Sequence, residues 1–413
     1  MTRTQQLAGL AAVWLAFASC NGGGDRGDGP YADIVAENVP RIERATGLKF
    51  KTAPRIEKRS RDQIREFLLG RVKEERATRE LLGQQTAYRR LALLPETLDL
   101  PAFLVNLLTE QVAGYYDPKT KILYVPDDAR AEVLEQTVTH ELVHALQDQY
   151  ANLDSIQEIT GDNDRVTAAS SVMEGQATFV SLRLMGGQLI AWDKAREMIR
   201  QSQSAMPLFS TAPTIIQETL LFPYLSGAEF ISRYDARHAR SSPFSGALPV
   251  STEQILHADA YFDTRDDPVR ITLPPPSTGE NTYENNLGEF ETRVLLFEHT
   301  RDQNLAVRAA AGWDGDRYVV ISTPRGDGIA WLTIWDSAVD AAEFSNAMEE
   351  GIAARFKSPA EPIPSGGKRY SSRTRELMLW GGEVSGRAAV LFVDVPQGVD
   401  TNVLDVGKVT LRQ

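Results

Sequence analysis

Residues 137–150 read TVTHELVHALQDQY, in a chain of 413 residues that holds five histidines. His140 and His144 stand four apart, and on a helix positions i and i+4 share one face. Two imidazoles placed this way can meet a single metal ion. Glu141 lies about 100° round the helix from His140, in reach of a water on that ion. The chemistry on offer is metal-assisted hydrolysis, in which the ion acidifies the water and Glu141 takes and later returns a proton.

Two histidines do not complete a catalytic zinc site, which needs three protein ligands and an open position. The next histidine along the chain is His238, so a carboxylate is the expected third ligand. Residues 166–187, VTAASSVMEGQATFVSLRLMGG, read as a second amphipathic helix. Glu174 lies among Ala168, Ala169, Val172, Met173 and Ala177. A glutamate on the apolar side of a helix is costly unless paired or bound, and Zn2+ would supply the compensation. Gly175 and Ala177 are small enough to let this helix approach the first. The expected ligands are therefore His140, His144 and Glu174, with Glu141 as general base.

An oxyanion needs a further donor. The segment VSTEQILHADAYFD, residues 250–263, supplies the leading candidates, His257 and Tyr261. Tyr115, Tyr116 and Tyr224 are further candidates. His238, among Arg233, Arg237 and Arg240, reads as exposed. His299 ends an apparent helix, where its charge would suit the dipole.

These side chains need elements to hold them. Tyr31 to Thr46 predicts a helix closed by Gly47, and Leu48 to Ile56 a strand. Ser60 with Gln63 forms a capping box opening a helix to about Leu82. Asp99 and Pro101 start another that stops by Gly114. Residues 115–125 predict a hairpin around the turn Asp117-Pro118-Lys119-Thr120. Pro126 and the acidic pair after it lead into the histidine helix. Val133, Leu134, Val138, Leu142, Ala145 and Leu146 give that helix a broad apolar face, with the histidines at its edge.

HELVHALQDQY followed by MEGQA resembles the gluzincin metallopeptidases, of which thermolysin is a familiar member. GYYDP, STEQILH and GWDGD add a resemblance to a bacterial and archaeal group of lipoproteins or surface proteins. The resemblance spans roughly residues 30–285. It implies a zincin-like fold, His140, His144 and Glu174 as zinc ligands, and Glu141 as catalytic base. It also implies that strand 121–125 is the sheet edge that pairs with a peptide substrate. The chain departs from thermolysin in a longer gap to the glutamate and in Thr178, where an aspartate would orient His140. Asp148, one turn after His144, is a candidate orienter.

The composition is that of a globular protein, 42% hydrophobic and 24% charged, with a net charge of −12. No basic stripe is present, so nucleic acid is not expected as a partner. The single cysteine, Cys20, ends the run MTRTQQLAGLAAVWLAFASC. That run reads as a signal peptide with a lipobox over residues 1–20, leaving Cys20 lipidated at the membrane surface or periplasm. The alternative is a plain signal peptide with an incidental cysteine. Residues 21–30 read as a tether.

Residues 31–287 are the expected peptidase domain. From 288 the pattern β-β-α-β-β-α predicts a separate α+β domain to 413, so the whole reads as α+β. GWDGD at 312–316 lacks the later ligands of an EF-hand and reads as a tight turn. The function expected is zinc-dependent hydrolysis of a peptide or protein substrate. The competing expectation is an inactive envelope lipoprotein using the same fold to bind partners, which would have no use for Glu141.

Overall fold

The computed structural model describes residues 30–157, 159–186, 192–239, 241–244, 246, 248–357, 359–364 and 366–412. The expected signal peptide, Cys20 and all but the last residue of the expected tether lie outside the described residues. The chain runs through α1 (Ala32–Thr46), β1 (Arg55–Arg59), α2 (Arg61–Val72), α3 (Glu75–Arg90), α4 (Leu100–Gln111), β2 (Tyr115–Asp117), β3 (Ile122–Pro126) and α5 (Ala131–Asp148). There follow α6 (Leu153–Gln157), α7 (Asn163–Gly186), α8 (Trp192–Ser204), α9 (Pro207–Ser210), α10 (Thr214–Arg237), α11 (Thr252–Leu256) and α12 (Ala258–Phe262). The last part holds β4 (Arg270–Thr272), β5 (Glu280–Asn285), α13 (Gly288–Thr300), α14 (Gln303–Ala310), β6 (Trp313–Thr323), β7 (Gly326–Trp335) and α15 (Ala338–Phe356). It closes with β8 (Glu361–Pro362), β9 (Lys368–Ser371), β10 (Arg375–Val384), β11 (Arg387–Pro396) and β12 (Thr410–Arg412). The fold class is α+β. No helix among the described residues is long and apolar enough to cross a membrane.

Local chemistry accounts for most boundaries. Gly47 ends α1 in the left-handed region at φ 74°, and Ser60 with Gln63 caps α2 reciprocally. The single helix expected to Leu82 is two, because Glu74 is extended and the Thr78 hydroxyl takes the Val72 carbonyl at 2.6 Å. The strand expected at 48–56 lies instead at Arg55–Arg59. The amides of Phe50 and Lys51 donate to side chains, Glu43 Oε1 at 3.0 Å and Gln149 Oε1 at 2.6 Å, which removes them from any ladder.

The small sheet has the order β1-β3-β2. Strand β3 is therefore central and not the edge expected for residues 121–125. It pairs with β1 in parallel, Arg55 opposite Ile122 through Arg59 opposite Pro126. The edge beside α5 is β2, the first arm of the expected hairpin. The Asp117 carboxylate closes that hairpin by accepting from the Lys119 amide at 3.0 Å and the Thr120 hydroxyl at 2.9 Å.

Helix α7 departs from its expected amphipathic character. Between Asn163 and Ser181 every residue except Arg165 is buried. It is the spine of the molecule, packed by α1, α5, α6, α10, α11 and α13. Its closest neighbour is α10, not α5. A Cβ on Gly175 would stand 2.2 Å from the Gly227 carbonyl carbon, and one on Gly227 would stand 2.1 Å from the Ser171 oxygen. The small residue beside Glu174 therefore serves the α7–α10 crossing.

The large sheet is antiparallel throughout, in the order β5-β6-β7-β11-β10-β9-β8. Alternate residues face opposite ways, so Tyr318 and Val320 join the main core while Val319 and Ile321 line a second one. The sheet's first strand begins at Glu280, before the boundary expected at 288. One apolar core runs from Ile42 through α7 and α10 to Phe392. GWDGD enters β6 with a register shift between Trp313 and Gly315 instead of forming a free turn. The expected final helix is a 3-10 turn, Val406–Lys408, followed by β12 paired with β4.

Candidate metal centre

Helix α5 carries His140 and His144 one turn apart, and α7 delivers Glu174 opposite them. His140 Nε2 stands 3.1 Å from His144 Nε2 and 3.1 Å from Glu174 Oε2. His144 Nε2 stands 3.4 Å from the same oxygen. These three atoms form a nearly equilateral triangle. Donors about 2.0–2.1 Å from a tetrahedral zinc are about 3.3 Å from one another, so the triangle has the size of one face of such a site.

The protonation pattern supports the fit. Gln147 Nε2 donates to the Met173 carbonyl at 3.0 Å and to Gln176 Oε1 at 2.9 Å. Its oxygen therefore accepts from His144 Nδ1–H at 2.8 Å. With that proton on Nδ1, Nε2 of the neutral ring presents a lone pair to the triangle. A proton on His140 Nε2 would be divided between two acceptors, His144 Nε2 and Glu174 Oε2, and leave them facing each other at 3.4 Å, whereas a cation can meet all three atoms.

Electrostatics favour positive charge at this point, whether a proton or a metal ion supplies it. Burial alone would raise Glu174, yet the imidazoles of His144 and His140 outweigh it and hold the carboxyl down to about 2. For His144, burial opposes a charge, and the carboxylates of Glu174 and Glu141 overcome it and raise the ring. The centre opens at His140, whose side chain is 16% exposed while that of His144 is sealed.

Glu141 lies on the same helix, buried, its Oε2 accepting from the Tyr116 amide at 2.9 Å. Burial pushes its carboxyl up, against the pull of His144 and His140. The residue expected as base is thus tethered to the edge strand β2 and close to the ligand cluster.

His257 and Tyr261 are not brought to this centre. His257 Nε2 is 3.0 Å from Glu289 Oε1 and 3.0 Å from Arg293. Tyr261 packs edge-on against Phe230 and Phe262. Tyr224 is there instead. Its ring stacks on His140 at 5.9 Å between centroids, with the charges of Glu174 and Glu141 acting on its hydroxyl. Burial, then the charges of Glu174 and Glu141, keep the phenol protonated, so it remains a donor. A hydroxyl within the apolar run of α10, three residues before the crossing glycine Gly227, was the sequence signal for it.

Asp148 does not orient an imidazole. It accepts from the Tyr116 hydroxyl at 2.8 Å and pairs with Lys121 at 2.6 Å, binding α5 to the hairpin. The orienting residue of His144 is Gln147, at i+3 on the same face. Tyr115 stacks on Phe67 and lies beneath Arg59, a packing role. His238 caps α10 at the surface, as expected. His299 cannot serve the helix dipole, because burial pushes its ring down to about 4 and leaves it neutral, bonded to the Leu91 carbonyl at 2.9 Å.

Residues 275–380 match a family described as "Domain of unknown function (DUF8575)". That stretch covers most of the large sheet and α13 to α15, and none of His140, Glu141, His144 or Glu174. No curated protein and no solved structure matches the chain.

Proposed function

We propose that the chain is a zinc-dependent metallopeptidase with a zincin-like catalytic half. The observation that carries this reading is the triangle of two imidazole nitrogens and one carboxylate oxygen, 3.1, 3.1 and 3.4 Å on its sides, with a buried glutamate beside it. His140, His144 and Glu174 would hold the ion. Zinc bound there would act as a Lewis acid, polarising a carbonyl and lowering the pKa of a water to about 7. Glu141 takes the proton of the attacking water and passes it to the leaving amine, a task that its raised proton affinity suits. Tyr224 donates a hydrogen bond to the developing oxyanion, the part expected of His257 or Tyr261. The peptide backbone pairs along β2, next to Glu141. The proposal includes the N-terminal reading, in which Cys20 is lipidated and tethers the enzyme to the cell envelope.

Metal analysis of the purified chain beside a peptide-library assay tests it. One zinc per chain is expected, lost in His144→Ala. Glu141→Gln is expected to keep the zinc and abolish hydrolysis. A wild-type chain without stoichiometric zinc ends the proposal, and zinc without hydrolysis of any peptide favours the binding role.

A further inference from the structure

Glu253 in α11, Asp266 in the loop before β4 and Asp336 after β7 converge from three separate segments. One oxygen from each lies within 4.8 Å of the other two. Glu253 is only 6% exposed. Among the described residues its carboxylate has no hydrogen bond and no ion pair, and the same holds for the carboxylates of Asp266 and Asp336. Nearby acids are treated differently. Asp314 is paired with Arg387, and Glu289 with Arg293 and His257. A buried carboxylate facing two others without a cation is costly.

We propose that Glu253, Asp266 and Asp336 form a calcium site, separate from the His140–His144–Glu174 centre. The donors are all carboxylate oxygens, the choice of a hard cation and not of zinc. Calcium holds its ligands at about 2.3–2.6 Å, so two oxygens on one ion stand at most about 4.6–5.2 Å apart, which the trio satisfies. Asp266 and Asp336 are exposed, leaving room for water to fill the six to eight positions that calcium takes. The ion would clamp α11 and the 263–269 loop to the end of β7. Thr252, next to Glu253, donates to Asp164 of α7 through its amide at 2.9 Å. The clamp is therefore one residue from the bonds that fix the start of the helix carrying Glu174.

The test is calcium titration of the full chain by calorimetry and thermal unfolding, with terbium luminescence as a local probe. Trp335 and Trp313 adjoin the site in sequence or across the sheet and would sensitise the lanthanide. One calcium per chain and a rise in Tm are expected. Glu253→Gln is expected to abolish both, and to unfold at a higher temperature than wild type in calcium-free buffer, because a buried carboxyl no longer has to face two others. Asp336→Asn, at an exposed position that the fold tolerates, should lose the response likewise. His144→Ala should keep it, so that the two centres can fail independently. Absence of saturable calcium binding, undiminished binding in both carboxylate variants, or an equal response to magnesium overturns the proposal.

Discussion

Gln147 decides which nitrogen of His144 faces the ligand cluster. Its amide nitrogen is committed to a carbonyl and to Gln176, so its oxygen must accept from Nδ1. Gln147→Leu should therefore weaken zinc binding by about 10–100-fold, the usual effect of losing a partner that orients a ligand. Asp148→Asn should leave affinity unchanged, since Asp148 holds the hairpin and not a ring. Competition against a chelator of known affinity separates the two, and equal losses would refute the assignment. Glu291 is fully buried and accepts from Tyr88 and Asn163, both at 2.8 Å. Burial outweighs those bonds and pushes its carboxyl from 4.5 up to about 8. Between these two values the folded chain keeps a proton that the unfolded chain has released. Its contribution to stability is thus favourable below about 4.5 and is lost as pH rises towards 8. Glu291→Gln should flatten the fall in urea midpoint between pH 5 and pH 8, and an unchanged slope would count against a buried, protonated Glu291.

At the scale of elements, the geometry of the proposed metal centre depends on how closely α7 and α10 approach. Gly227→Ala places a methyl 2.1 Å from a backbone oxygen that cannot swing away. The gain of up to about 1 kcal/mol in helix propensity is outweighed by overpacking of about 1–3 kcal/mol. Tm should fall, and zinc affinity with it, because Glu174 and Tyr224 ride on the two displaced helices. Gly186→Ala, where a Cβ meets nothing within 4 Å, should be neutral or mildly stabilising. A Gly227→Ala variant as stable as wild type would contradict the packing described. The α7–α10 crossing was not legible in the sequence, because Gly175 and Gly227 are 52 residues apart and nothing local pairs them. The parallel union of β1 with β3 was hidden for the same reason, and it makes β2, not residues 121–125, the sheet edge beside α5.

Over the whole molecule, the two halves expected on either side of residue 288 share a core. Strand β5 precedes that point yet opens the large sheet, and α13 follows it yet packs on α7 and α10. The His140–His144–Glu174 centre lies in the helical half and the acidic trio at the seam between helices and sheet. The proposed tether acts at this scale too. Cys20→Ala should move the chain from the membrane fraction to the soluble one after cell lysis, and continued sedimentation with membranes would remove lipidation from the proposal.

The sequence by itself determined what depends on neighbours within a turn or two. The i, i+4 histidines, the adjacent Glu141, the capping box at Ser60 and the turn at Asp117 follow from local backbone geometry. Glu174 was legible as well, since a lone carboxylate in an apolar helical run needs a partner. Tertiary structure alone decided which groups meet across elements. It seated Tyr224 on His140 and sent His257 to Glu289. It buried His299 until it lost its charge, and it gathered Glu253, Asp266 and Asp336 across 83 residues. The physical reason is that such contacts are set by how faces pack, and a one-dimensional period says which face an element has but not which partner will cover it.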